Sequence, residues 1–192
     1  MSIESTFNPE VKNDFVKLVI TGVPGTGKTH LARFLSKKLK HPIIEVNKLI
    51  NEKNLWKVKD EFGAKIARMV PLKKALDAEL APLDNYILEG HLACEFELPA
   101  DHVVVCRTEP AELEKRLAKR KYPKAKLDEN IFAELLDYCT ICAGKNYPKK
   151  IIIELDTTGK TPKESAEQLL LILKGKKRKK SVDWSESLEK RV

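Results

Sequence analysis

The sequence predicts an α/β fold: a parallel sheet of five short strands joined by helices that return across it. Two observations carry that reading. Short apolar runs rich in β-branched residues alternate with stretches of helical period, the order that gives parallel strands with right-handed crossovers. The first run, "VKLVI", leads straight into "GVPGTGKTH", in which Gly22, four residues and then Gly27-Lys28-Thr29 open a helical pattern. Strand, glycine loop and helix together are the setting in which backbone N–H groups hold nucleotide phosphates.

Taken in order, the first strand is expected at Val16–Thr21. Glycines at 22, 25 and 27 let the loop turn its N–H groups inward without an obstructing Cβ. A helix over Lys28–Lys40 follows, with apolar positions at Leu31, Ala32, Phe34, Leu35 and Leu39; its N-terminus adds unpaired N–H groups and a positive dipole end. Lys28 is placed to reach the β- and γ-phosphate oxygens, and the Thr29 hydroxyl to ligate Mg²⁺. The second strand is expected at Ile43–Val46. From Lys48 to Val70 the pattern breaks into a polar, lysine-rich stretch containing Trp56 and Gly63. It reads as an insertion that binds a phosphate acceptor or as a surface excursion. Further strands are expected at Tyr86–Glu89, Val103–Cys106 and Ile151–Leu155, with helices near Leu72–Leu80 and at Pro110–Lys119, Asp128–Lys145 and Pro162–Leu173.

Glu89 ends the strand in "NYILEGHL", where open α/β sheets place their ligands. A carboxylate there can hold Mg²⁺, usually through its water shell. His91, two residues on, can orient or deprotonate a water near the γ-phosphate, or stabilise charge as phosphate transfers. Arg116 and Arg120 are four apart and share a helix face. The basic connection after them, ahead of Asp128, reads as a flap that closes over the triphosphate and excludes water.

At 192 residues the chain is one domain, with 42% hydrophobic and 6% aromatic residues. No apolar run approaches the ~20 residues of a membrane helix. The polar N-terminal stretch reads as a flexible leader over residues 1–15 rather than a signal peptide. Cysteines at 94, 106, 139 and 142, without a secretory leader, point to reduced thiols in a cytoplasm. Cys139 and Cys142 form a C-x-x-C inside a helical pattern, with no second pair at matching spacing, and so read as buried helical cysteines. The net charge of +8 is concentrated in "KGKKRKK" at 174–180. Such a run is either a solvated tail or an RNA contact acting through counterion release, and residues 174–192 are set apart as that tail.

"GVPGTGKT", "EGHL" and "RLAKRKYPKAKLDENI" in this order resemble the small adenylate kinase family that also serves as a ribosome-assembly ATPase, and most of all its archaeal members. The resemblance spans about Lys17 to Leu173. It implies a P-loop NMP kinase-like three-layer sandwich over residues 16–173, with an NMP-binding insertion at about 45–68 and a lid at about 119–129. It implies ATP and Mg²⁺ as cofactors, and broad-specificity NMP kinase activity (ATP + AMP = 2 ADP) alongside ATP hydrolysis. A protein of the small-subunit platform is the implied partner, in late maturation of small-subunit rRNA. The implied nucleotide contacts are Gly25, Thr26, Gly27, Lys28, Thr29, His30 and, from the lid, Arg120. Glu89 and His91 fall on the acidic-x-His signature. Lys121, His30 and Pro71 stand where the family usually carries glycine, a second hydroxyl residue and aspartate. The longer lid and the Asp-Gly-Phe-Pro-Arg segment of ordinary adenylate kinases are missing, as is the Asn-Lys-x-Asp segment that reads guanine. Two readings remain: a kinase with ATPase activity, or an ATP-driven assembly switch in which kinase activity is incidental.

Overall fold

The computed structural model describes residues 17–59, 65–119 and 122–189. Its centre is a five-stranded, wholly parallel sheet of β1 (Lys17–Thr21), β2 (Ile43–Glu45), β5 (Tyr86–Glu89), β6 (His102–Arg107) and β7 (Ile152–Asp156), in the order β2-β5-β1-β6-β7. These are the five strands the apolar runs predict. β1 lies in the middle, with Ile20 opposite Glu89 on one side and Thr21 opposite Val105 on the other. The chain crosses from one side of β1 to the other between β5 and β6, which opens the crevice at the carboxyl ends where such sheets bind ligands.

Both faces of the sheet are covered, because side chains alternate along each strand. Leu18, Ile20, Ile87, Val104, Cys106, Ile153 and Leu155 pack on α1 (Lys28–Leu39) and α7 (Pro162–Leu173). Val19, Leu88, Val103 and Val105 pack on the opposite layer, built from α2 (Val46–Glu52), α3 (Met69–Leu80), α4 (Pro110–Ala118) and α6 (Tyr138–Asn146). The three-layer sandwich is therefore the observed fold. Thr161 and Glu164 close α7 with reciprocal capping bonds, which satisfy two otherwise orphaned donors.

Four details differ from the sequence expectation. α3 starts at Met69, three residues early, and carries Pro71 in its first turn, where the missing N–H removes no helical bond. The irregular stretch holds α2 and an antiparallel hairpin of β3 (Trp56–Lys59) and β4 (Lys65–Ala67), apart from the main sheet. The helix expected over Asp128–Lys145 is two: α5 (Lys124–Leu135) and α6, broken at Asp137 with φ of 54°. An aspartate tolerates that left-handed turn, and here its carboxylate pairs with Arg107.

The fourth difference is the tail. Arg107 is 1% exposed and also bonds Glu134 at 2.7 Å and Glu154 at 2.6 Å. The indole of Trp184 donates to the same Glu134 carboxylate at 2.9 Å, and its ring lies 5.9 Å from the guanidinium. Ser181 and the Val182 amide bind Glu154, and Lys179 binds the carbonyls of Lys150 and Ile152. Residues 179–184 are thus seated on the domain, because a buried charge network offers acceptors that a solvated extension would not meet. A short helix, α8 (Ser185–Glu189), ends the described chain.

Candidate active site

The loop between β1 and α1 turns through positive φ at Gly22, Gly25 and Gly27. At Gly22 a Cβ would also lie 2.5 Å from the Cys106 carbonyl oxygen, so only glycine lets the loop leave β1 beside β6. The Thr26 side chain turns into the loop and donates to the Val23 carbonyl at 2.9 Å. The Thr157 hydroxyl, from the end of β7, holds the Thr26 carbonyl from outside at 2.9 Å. Thr26 therefore shapes the loop with its hydroxyl.

Lys28 and Thr29 open α1. Lys28 is 8% exposed, and its ammonium donates to the Val23 carbonyl at 3.3 Å. The Thr29 hydroxyl donates to Glu89 at 3.1 Å across the crevice between β1 and β5. Glu89 is 3% exposed; burial raises its carboxyl above the usual range, while the Lys28 charge and the Thr29 bond pull it back. His91 begins a 3₁₀ turn, His91–Glu95, whose first carbonyl accepts the Thr21 hydroxyl at 3.2 Å. Burial, then the charges of Lys28 and Lys126, lower the His91 imidazole to about 4. At neutral pH it is uncharged, with a lone pair to offer. The Lys28 charge acts on both Glu89 and His91, so the structure gathers these three with Thr29 at one end of the sheet.

Gly90 between them has its own reason: a Cβ there would come 2.6 Å from that of Val46. The start of α2 thus packs directly on the Glu89–His91 segment. Beside the loop lies a cavity of about 460 Å³ lined by Gly25, Gly27, His30, Arg116, Thr157 and Lys160. His30 is exposed there. Arg116 is held by Glu112 at 3.0 Å and by the Thr157 carbonyl at 3.0 Å. Arg120 lies outside the described residues, as do Lys121 and Gly63.

The residues present fit a nucleotide and a hard cation. The Thr29 hydroxyl and Glu89 carboxylate offer the oxygen ligands or water contacts that Mg²⁺ takes, and the loop presents backbone donors and Lys28 to phosphate. Two features escaped the sequence reading. Glu45 ends β2 in register with Glu89 and forms a two-bond pair with Arg33, at 2.8 and 2.9 Å. Thr157 and Lys160 line the cavity from the far side. Glu45 and Thr157 follow the rule that singled out Glu89, a polar residue at the carboxyl end of a strand, and were findable by it; Lys160 lies beyond the strand end.

Fold and crevice together define a P-loop kinase-type nucleotide-binding protein. Residues 18–137 match the family described as AAA domain. The chain is similar to a protein named "Putative adenylate kinase" from Thermococcus onnurineus, 36% identical over 90% of this chain and 93% of that one. The protein of the same name from Methanocaldococcus jannaschii is 32% identical over 89% and 94%. Among solved structures, shikimate kinase from Bacteroides thetaiotaomicron aligns with a TM-score of 0.57 at 19% identity, covering 83% of this chain and 99% of that one. Thymidylate kinase from Candida albicans aligns at 0.55 and 18%, covering 83% and 91%. The solved structures share the fold alone; the archaeal proteins share the sequence. The chain belongs to their family, a P-loop, NMP kinase-like group with archaeal members.

Proposed function

We propose that this nucleotide kinase moves the γ-phosphate of MgATP to AMP or a related nucleoside monophosphate, and releases it to water when no acceptor is in place. The observation that carries the reading is the convergence of Lys28, Thr29, Glu89 and a neutral His91 at the carboxyl ends of β1 and β5. In this reading Lys28 neutralises charge on the transferring group, while Thr29 and Glu89 hold Mg²⁺. His91 orients the attacking water. Gly25, Gly27 and His30 hold the nucleotide beside the cavity, and Arg120 closes on it from the lid at 119–129. The acceptor is assigned to the insertion at 45–68, whose first helix abuts Gly90.

A cytoplasmic role in late maturation of the small ribosomal subunit completes the proposal. It rests on the sequence resemblance, with a platform ribosomal protein as partner and rRNA contact through 174–180. Lys174, Lys176, Lys177, Arg178 and Lys180 are exposed, which suits phosphate contact.

Lys28→Ala tests the reading, since one counter-charge serves both chemistries. Kinase and ATPase rates should each fall by about 10²–10³, the usual loss for an oxyanion-type contact. Retention of more than about a tenth of either rate would remove the loop from that chemistry.

A further inference from the structure

The structure brings together what the sequence keeps 47 and 48 positions apart. Cys142, from the C-x-x-C of α6, meets Cys94 and Glu95 at the end of the 3₁₀ turn that His91 begins. One ligand atom from each, two sulfurs and a carboxylate oxygen, lie within 4.8 Å of one another. We propose that Cys94, Glu95 and Cys142 bind a zinc ion, at a site separate from the Mg²⁺ position of Thr29 and Glu89.

The donor set suits zinc, which takes thiolate sulfur and carboxylate oxygen with Zn–S bonds of about 2.3 Å; three protein ligands leave the fourth tetrahedral position to water. Ligand atoms in such a tetrahedron sit about 3.5–4 Å apart, so a contraction of an ångström or so by side-chain rotation closes the site. Magnesium and calcium prefer oxygen throughout, which separates this cluster from the nucleotide crevice. The surroundings orient the ligands as bound-metal sites require. The Tyr138 hydroxyl donates to Glu95, and Cys139 lies near enough to influence the Cys94 thiol. All four cysteines are free thiols. On binding, Cys94 and Cys142 each release a proton to solvent as the sulfur–zinc bond forms; before that the Cys94 thiol donates to the His91 carbonyl at 3.2 Å. Cys94 is buried, while Glu95 and Cys142 are partly exposed and form the entrance. The ion would clamp α6 to the turn that His91 begins.

Cobalt(II) titration of the full chain, stripped with a chelator and kept reduced, tests the site. One cobalt should bind per chain with a thiolate-to-metal absorption band, be displaced by zinc, and persist in excess MgATP. Cys142→Ser and Glu95→Gln should each weaken binding at least about tenfold, and zinc should shield Cys142 of the unaltered chain from alkylation. The Glu95 variant and the alkylation arm need no thiol removed, so the test survives a poorly folding Cys142→Ser. A missing thiolate band, displacement by MgATP, or undiminished affinity in both variants would overturn the proposal. So would alkylation of Cys142 at the same rate with and without zinc.

Discussion

In the proposed reaction, His91 is the residue on which the two fates of the γ-phosphate divide. Water needs orienting, whereas a bound monophosphate is positioned by its own site. His91→Ala should therefore reduce phosphate release more than transfer to AMP, read by parallel assays of the two products. Equal losses would give His91 a shared part in γ-phosphate geometry instead. The same residue sets a pH dependence of stability. Its folded value, about 4, lies below the ordinary 6.5, so the unfolded chain takes the proton first as pH falls. The nucleotide-free protein should hold its full stability above about pH 6.5 and lose up to about 3 kcal/mol between there and pH 4. Urea unfolding of the parent and of His91→Ala across that range checks this, with a shallower fall expected in the variant. Parallel curves would place the acid sensitivity elsewhere.

At the scale of elements, the C-terminal segment carries the clearest expectation. Trp184 supplies a hydrogen bond to Glu134 and a ring beside Arg107, and hydrogen bonds to charged groups contribute about 1.5–3 kcal/mol. Trp184→Phe keeps an aromatic ring but removes the indole N–H, and should lower unfolding stability by at least about that amount. An unchanged urea midpoint would mean that the segment is not seated in solution. This contact also marks where the sequence ceased to be legible. Strands such as Tyr86–Glu89 and the loop at Gly22–Thr29 announce themselves through local period and glycine spacing, and all five strands were found that way. The break at Asp137 and the docking of Trp184 both answer to Arg107, whose partners Glu134, Asp137 and Glu154 lie 27 to 47 residues away. No local pattern records such a network. Lys28, Thr29 and Glu89 were legible because their chemistry is tied to element ends; Cys94 and Cys142 were not, because their meeting depends on how α6 packs.

For the whole molecule, the sheet supplies a rigid floor and the working parts sit on its carboxyl edge. The start of α1 brings Lys28 and Thr29 there, β5 and the turn after it bring Glu89 and His91, and α2 reaches this edge through the glycine-only contact at Gly90. In the proposed reaction, movement of the insertion reaches the segment bearing Glu89 and His91 through this contact, and an acceptor would select transfer over hydrolysis that way. The most direct measurement follows ATP turnover by the purified chain with and without AMP, quantifying ADP and free phosphate together. With AMP present, ADP should accumulate as two molecules per AMP consumed, with little matching phosphate. Without AMP, slower turnover should release phosphate in step with ADP. If ADP and free phosphate remain equal whether or not AMP is added, the γ-phosphate goes only to water, and the account of this protein as an NMP kinase is wrong.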